Sequence, residues 1–365
     1  MTIVLIFFKQ GIIKNGMDSF FLSLLVFAVV YAFFYYLEPW KGLQYFLIYM
    51  LSPPAFYLWG KQVFKSLTHS DKIIPVMMLL GVIYSLPALV SVLLNIMEGG
   101  FAQHERSIPM FWGGEPVGAT GMAQAFMFNI CVPAIFFSMV KKMDKLLVII
   151  LTIFFVLSLA CVLRVGSRTL LAIMLISLLI ALLLVSPKLS LKQNMIRYGL
   201  LSFGVLMIIQ NVSFDLDSDI FSTFASRMED NAADDIASGG GRSDLWGNSF
   251  KYMQSNPYGW GLERFGYSHN LWLDTFRVGG FPSFVLLLLF TIKIIWLLIT
   301  IFFTKTMSLS LRLLFVLYSI AFVSIFMVEP GIDGNYSLFI FFCLFAGILK
   351  ASHEQNKEKL LKHIT

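Results

Sequence analysis

Long apolar runs separated by short polar connections dominate the pattern of hydrophobic positions in this chain. Runs of about 20 residues match the ~30 Å hydrocarbon layer of a bilayer, and a spanning helix satisfies its own backbone hydrogen bonds. We therefore predict an all-α, polytopic membrane bundle of about ten transmembrane helices. The predicted spans lie near residues 19–37, 43–60, 73–96, 118–140, 146–163, 168–186, 198–213, 279–303, 312–328 and 335–350.

One stretch interrupts this pattern, because residues 239–280 are polar and rich in glycine, arginine and aromatic residues. We predict spans 1–7 within residues 1–213, a large external loop at 214–278 that holds the site residues, spans 8–10 within 279–350, and a tail at 351–365. A loop of this length needs secondary structure of its own. Apolar residues at helical spacing predict amphipathic helices at 217–230 and 243–254, and the second has Leu245, Trp246, Phe250 and Met253 on its apolar face. These helices could lie on the membrane surface, cover a cavity or pack on the bundle.

Composition supports the membrane assignment, since 58% of residues are apolar and 13% are charged, against roughly 45–50% and ~25% in soluble domains. Cys131, Cys161 and Cys343 lie in apolar stretches and share no spacing. They are interpreted as small core residues, with neither a disulfide framework nor a metal site. We expect no cofactor.

The distribution of lysine and arginine in short connections predicts the orientation. Alternate connections are rich in lysine and are therefore assigned to the cytoplasm, together with both termini. The opposite connections contain mostly arginine: Lys41, Arg106, Arg164, Arg168, Arg227, Arg242, Lys251, Arg264 and Arg277. Guanidinium binds phosphate oxygens in pairs, which indicates an anionic, phosphorylated ligand on the external side. The alternative is that these arginines pair with external acids such as Asp215 and Glu229. The net charge of +6 is the sum of the two sides and indicates no nucleic-acid partner.

Several external residues are candidates for chemistry. Glycines 239–241 followed by Arg242 could form an anion cradle at a helix N-terminus, although glycines often only form a hinge. Tyr258 and Trp260 could stack on sugars or anchor at the membrane interface. His269 opens a predicted helix near the arginines, where neighbouring cations favour neutral imidazole, which can accept a proton.

The helix after His269 places three polar residues on one face, because Asn270, Asp274 and Arg277 follow helical spacing. This set could equally be a helix-stabilising pair with an adjacent amide. Arg164 and Arg168 lie in the short turn between two very apolar spans. An arginine at this depth needs an anionic partner unless it reaches the interface, and the partner could be Glu329 or a lipid phosphate.

These motifs, in this order, resemble the bacterial O-antigen polymerase and O-antigen ligase superfamily. The resemblance rests on SRTLLA at residues 167–172, GGGRSDLW at 239–246, NPYGWG at 256–261 and SHNLWLD at 268–274. It implies a metal-independent membrane glycosyltransferase that uses a glycan on undecaprenyl diphosphate at the periplasmic face of the inner membrane. The resemblance assigns diphosphate binding to Arg168 and Arg242, and activation of the acceptor hydroxyl to His269. Further substrate-binding residues are expected at Arg164, Asn270, Asp274, Arg277, Glu329, Arg264, Tyr258 and Trp260.

We favour an O-antigen polymerase, which joins lipid-linked repeat units with inversion at the anomeric carbon. An O-antigen ligase would instead transfer polymer to lipid A core. The expected partners are the lipid-linked oligosaccharide, membrane lipid and a chain-length regulator protein. A flippase or other transporter is the alternative from a different class, but it predicts charged residues near the midplane of repeated halves. A non-catalytic scaffold would tolerate loss of Arg168, Arg242 and His269.

Overall fold

The fold is helical wherever the structure describes it. A computed structural model describes residues 16–37, 42–101, 103, 107–139, 143–188, 190–195, 198–199, 241–264, 266–304 and 306–364. Over these ranges no strand forms beyond an isolated antiparallel bridge between Ile108 and Val117. The predicted all-α class is confirmed.

Twelve numbered α-helices lie within the described ranges. They are α1 (Ser19–Leu37), α2 (Leu43–Lys65), α3 (Ile73–Gly99), α4 (Ala119–Gln124), α5 (Met127–Ile130), α6 (Val132–Met139), α7 (Lys145–Arg164), α8 (Arg168–Val185), α9 (Arg242–Ser255), α10 (Leu271–Phe303), α11 (Leu309–Val328) and α12 (Tyr336–Ile364). Short 3-10 helices cover Ser70–Lys72 and Ser186–Lys188.

Seven segments within the described ranges are long and apolar enough to cross a membrane, so the chain is a polytopic membrane protein. They are Ser19–Leu37, Ser70–Gly99, Lys145–Arg164, Arg168–Lys188, Leu271–Phe303, Leu309–Val328 and Tyr336–Lys359. Three other spans were predicted. Residues 43–60 lie within α2, residues 118–140 are interrupted, and all but the first two residues of 198–213 lie outside the described ranges.

The interruption at 118–140 has a local cause. Three short helices, α4 to α6, replace one long helix, with turns at Ala125 and Phe126 and again at Cys131. Pro133 has no N–H to donate to the carbonyl of Asn129, four residues earlier, and this missing hydrogen bond favours the turn at Cys131. The apolar composition predicts membrane depth here but not the breaks.

The chain divides into two compact units. The first comprises α1, α2, α9, α10, α12 and most of α11, and the second comprises α3 to α8 together with Leu317–Ala321. In the first unit α2 packs against α1 and α12, and α10 packs against α1. A Cβ on Gly60 would collide with the carbonyl oxygen of Leu344, and one on Gly347 would collide with that of Tyr57. Small residues thus let the α2 and α12 backbones approach closely.

In the second unit buried polar groups pair between helices. The amide of Asn129 donates to Ser85 (2.8 Å) and to Ser158 (2.9 Å). Cys131 lies 3.6 Å from the hydroxyl of Ser177. All three cysteines of the chain are buried, as expected for small core residues.

Candidate active site

The residues with site chemistry in the first unit come from the start of α9, the loop before α10 and the loop after α11. Gly241 precedes α9 in a left-handed conformation (φ 78°) that suits glycine. Arg242 is therefore the first residue of the helix. Its Nε donates to the carbonyl oxygen of Val328 (3.0 Å), and its Nη2 donates to Oε1 of Glu329 (2.8 Å). These two contacts attach the start of α9 to the end of α11.

His269 stands beside this ion pair. Its Nδ1 lies 3.5 Å from Oε2 of Glu329, and its side chain is 40% exposed. The side chain of Glu329 is only 5% exposed. One of its oxygens faces Arg242 and the other faces His269. The structure thus brings together three predicted residues, Arg242, His269 and Glu329.

The backbone at His269 adopts φ 52°, a left-handed conformation that is uncommon outside glycine. The residues on either side fix it. Asn270 caps α10, because its side-chain oxygen accepts the N–H groups of Trp272 (3.1 Å) and Leu273 (3.2 Å). The side-chain Nδ2 of Asn270 also donates to the carbonyl oxygen of Met327 (3.3 Å). Asn270 therefore links the loop before α10 to the end of α11.

Asp274 and Arg277 form the ion pair that their helical spacing predicts, with Arg277 Nε 3.4 Å from Asp274 Oδ1. Arg277 also pairs with Asp333, and Asp333 accepts a hydrogen bond from the hydroxyl of Tyr31 (2.7 Å). The guanidinium of Arg277 lies 5.2 Å from the ring centre of Tyr267. Arg277 is fully buried, so its surroundings are protein groups.

The aromatic loop before His269 is only partly as predicted. Tyr258 is 73% exposed, whereas Trp260 is buried and packs between Tyr252 (5.9 Å) and Phe276 (5.6 Å). The backbone N–H groups of Trp260 and Gly261 both donate to the carbonyl of Arg277 and attach this loop to α10. Trp260 is thus a core residue of the loop. Arg264 is exposed and lies 5.1 Å from the ring centre of Tyr252.

Helix α9 confirms the predicted helix at 243–254, but one side chain faces differently from the prediction. Phe250, assigned to the apolar face, is exposed, and Ser249 is buried. The physical reason is a hydrogen bond of 2.7 Å between the hydroxyls of Ser249 and Ser268. This contact, which residue hydrophobicity does not report, fixes the rotation of α9.

Arg164 and Arg168 belong to the second compact unit. Arg164 ends α7 and is fully buried. Arg168 is the first residue of α8, whose cap is Ser167, and Gly166 (φ 61°) forms the turn between the helices. The short turn between two apolar helices is as predicted.

Other predicted features lie outside the described residues, namely the helix at 217–230, Gly239 and Gly240 of the anion cradle, and Arg106 and Arg227. Sequence reasoning did not identify Asp333, Tyr31 or Tyr267. The position of Asp333, shortly after Glu329 in a polar turn between two apolar helices, is the one signal that could have drawn attention to it.

Comparison with known sequences supports the resemblance described above. A family model described as O-antigen ligase matches residues 153–288, which include Arg164, Arg168, Arg242 and His269. Glu329 and Asp333 lie beyond the matched segment. No curated protein matches the chain.

Proposed function

We propose that this chain is an O-antigen polymerase, because residues 153–288 match a family model described as O-antigen ligase, a family that implies a membrane enzyme acting on lipid-linked glycans. In this proposal it joins repeat units of a surface polysaccharide that are linked to undecaprenyl diphosphate. The observation that supports a catalytic site most directly is the convergence of Arg242 and His269 on the buried carboxylate of Glu329.

In the proposed mechanism His269 is the general base. With its proton on Nδ1, facing Glu329, the imidazole keeps the Nε2 lone pair for the acceptor hydroxyl. The hydroxyl oxygen attacks the anomeric carbon, its proton passes to Nε2, and the bond from that carbon to the diphosphate oxygen breaks. Glu329 then stabilises the imidazolium, as a carboxylate does in hydrolytic triads. Attack from the face opposite the leaving group inverts the anomeric centre.

The leaving group is a lipid diphosphate, and its departure is favoured when its growing negative charge is neutralised. Arg242 is 25% exposed at the N-terminus of α9, where guanidinium and helix N–H groups both favour an anion. Exposed Arg264 adds positive charge to the same compact unit. For Arg168 the phosphate-binding role rests on the SRTLLA motif at residues 167–172, and Arg164, which lies just before that motif, is a further candidate for substrate binding.

The placement in the cell is also part of the proposal. The lysine-rich connections support cytoplasmic termini, and a diphosphate-linked donor supports a site on the periplasmic face of the inner membrane. A chain-length regulator protein is proposed as a further partner.

The test is an assay of the purified protein in lipid vesicles with defined lipid-linked repeat units. Elongation of the glycan, without any ion gradient, supports the proposal and excludes a pure transporter. Transfer to lipid A core, with no elongation of lipid-linked repeats, would establish the ligase instead. Gene deletion gives the same distinction in cells: loss of a polymerase leaves surface lipid with a single repeat, and loss of a ligase leaves polymer on its carrier.

A further inference from the structure

The carboxylate of Asp274 accepts hydrogen bonds from the backbone on both sides of His269. Oδ1 of Asp274 accepts the N–H of Ser268 (2.8 Å), and Oδ2 accepts the N–H of Asn270 (3.0 Å). The peptide groups before and after His269 are thereby held to one side chain, which lies on the first turn of α10. This arrangement accounts for the left-handed backbone of His269, since both neighbouring N–H groups would otherwise be buried without acceptors.

Asp274 is in turn held by Arg277, one helical turn further on. Arg277 has no exposed surface and spans two carboxylates, because its Nε lies 3.4 Å from Asp274 while its Nη2 donates to Asp333. The planar, fixed geometry of guanidinium is what allows one side chain to orient two acids. Tyr267, two residues before His269, packs against the same guanidinium.

Asp333 connects Arg277 to helix α1. Its other oxygen accepts the hydroxyl of Tyr31 (2.7 Å), a residue of α1, and its side chain is only 6% exposed. The contacts run from Tyr31 through Asp333, Arg277 and Asp274 to the backbone of His269. Two acids share one arginine in this buried group, so loss of the Asp333 charge would leave Asp274 as the one acid of this group that orients Arg277.

We propose that Asp333 is a positioning residue for the transfer reaction: through Arg277 and Asp274 it holds the His269 imidazole against Glu329. This inference rests on the proposed function of His269 as the base. It also gives Asp274 and Arg277 roles within the protein, in place of the substrate contacts expected from the sequence.

The test compares Asp333→Asn with Tyr31→Phe and with a control, Asp71→Asn, in the vesicle assay. Asp71 accepts a hydrogen bond from Ser308 (2.6 Å) in the same compact unit and has no contact with this group. For Asp333→Asn we expect kcat to fall about 100-fold with the donor KM within about twofold, since a small misplacement of a catalytic group has a cost of this order. Tyr31→Phe, which keeps the charges and the ring, should lower kcat less, and the control should match the wild type.

A double-mutant cycle separates positioning from general damage. If Asp333 acts through His269, then Asp333→Asn should cause no further loss in a His269→Gln background, because residues that act as a unit are not additive. A further loss there, a rise in KM with kcat unchanged, or wild-type kcat in Asp333→Asn would overturn the inference. Wild-type activity of His269→Gln alone would instead overturn the proposed base. The two failures are therefore distinguishable.

Discussion

At the scale of single residues, the buried carboxylate of Glu329 has two neighbours of different chemistry. It faces an always-charged guanidinium on one side and a titratable imidazole on the other. Burial of the Glu329 carboxylate is offset by the 2.8 Å ion pair of its Oε1 with Arg242, while its Oε2 lies 3.5 Å from the imidazole of His269. Glu329 therefore couples the proposed anion-binding group to the proposed base.

Glu329→Gln tests this coupling, since the amide keeps the shape but removes the charge. We expect kcat to fall about 100-fold, within the range for loss of assistance in proton transfer, because an amide does not stabilise the imidazolium. The measurement is initial rate against donor concentration. Glu263→Gln, which changes an exposed acid of the same unit, is the matched control and should retain the wild-type rate. Equal rates in the two variants would remove Glu329 from the mechanism.

At the scale of elements, α10 contains a kink that positions the aromatic loop. Gly280 has φ 58°, and a Cβ there would collide with the backbone of Pro257 and Tyr258. The N–H of Phe281, which follows the kink, donates to the carbonyl of Pro257 (2.8 Å). The kink in α10 and the turn at 257–258 therefore form together.

Gly280→Ala should destabilise the protein by about 2 kcal/mol or more, since φ 58° with ψ −161° is a backbone region essentially restricted to glycine, and holding another residue there costs roughly 1–3 kcal/mol. Gly247→Ala is the matched control. Gly247 lies in the middle of α9 with open space around it, so alanine there should stabilise the helix by about 0.5–1 kcal/mol. Thermal unfolding midpoints of both variants in the same lipid or detergent would show opposite signs. A Gly280→Ala midpoint equal to that of the wild type would contradict the role of the kink.

Sequence predicted these elements well but their contacts only in part. Hydrophobic runs predict helices because backbone in a bilayer must bond to itself, and the spacing of Asp274 and Arg277 predicts their pairing because it is local. The hydrogen bond from Tyr31 to Asp333 joins residues 302 positions apart. No local pattern reports such a contact, so Asp333 was missed. The burial of Trp260 was missed for the same reason, since it depends on packing against α10.

At the scale of the whole molecule, a second ionic group joins the helices of the first unit. Lys61 of α2 is buried and lies 2.6 Å from Asp18, the cap of α1, and 3.1 Å from Glu354 of α12. Burial by itself raises the pKa of Asp18, but hydrogen bonds from Lys61, the N–H of Phe21 and Tyr57 together bring the pKa below its ordinary value. Folding thus favours the ionised form of Asp18.

The lowered pKa of Asp18 predicts how the stability of the protein depends on pH. An acid with a lowered folded-state pKa stabilises the protein above its unfolded-state pKa, and that contribution is lost as pH falls through the folded-state value. The wild type should therefore lose stability below about pH 4. Asp18→Asn should have a lower unfolding midpoint at pH 7 and a smaller further decrease on acidification. Glu358→Gln, at an exposed acid of α12, should follow the wild-type curve; identical curves for all three proteins would contradict the prediction.

The proposed orientation in the membrane can be tested with one introduced thiol. The three native cysteines are buried, so the wild type should react slowly with a membrane-impermeant maleimide. Tyr258→Cys places a thiol at a highly exposed position and should be labelled from the periplasmic side of intact cells. Labelling only after the inner membrane is permeabilised would place this loop in the cytoplasm and reverse the topology.

The position of Glu329 beyond residues 153–288 also bears on any attempt to exchange activity between relatives. A chimera that receives this segment from the present chain would import Arg242 and His269 but keep the recipient's own residue at the position of Glu329. Such a hybrid would regain its turnover only when the short turn after α11 is grafted with it.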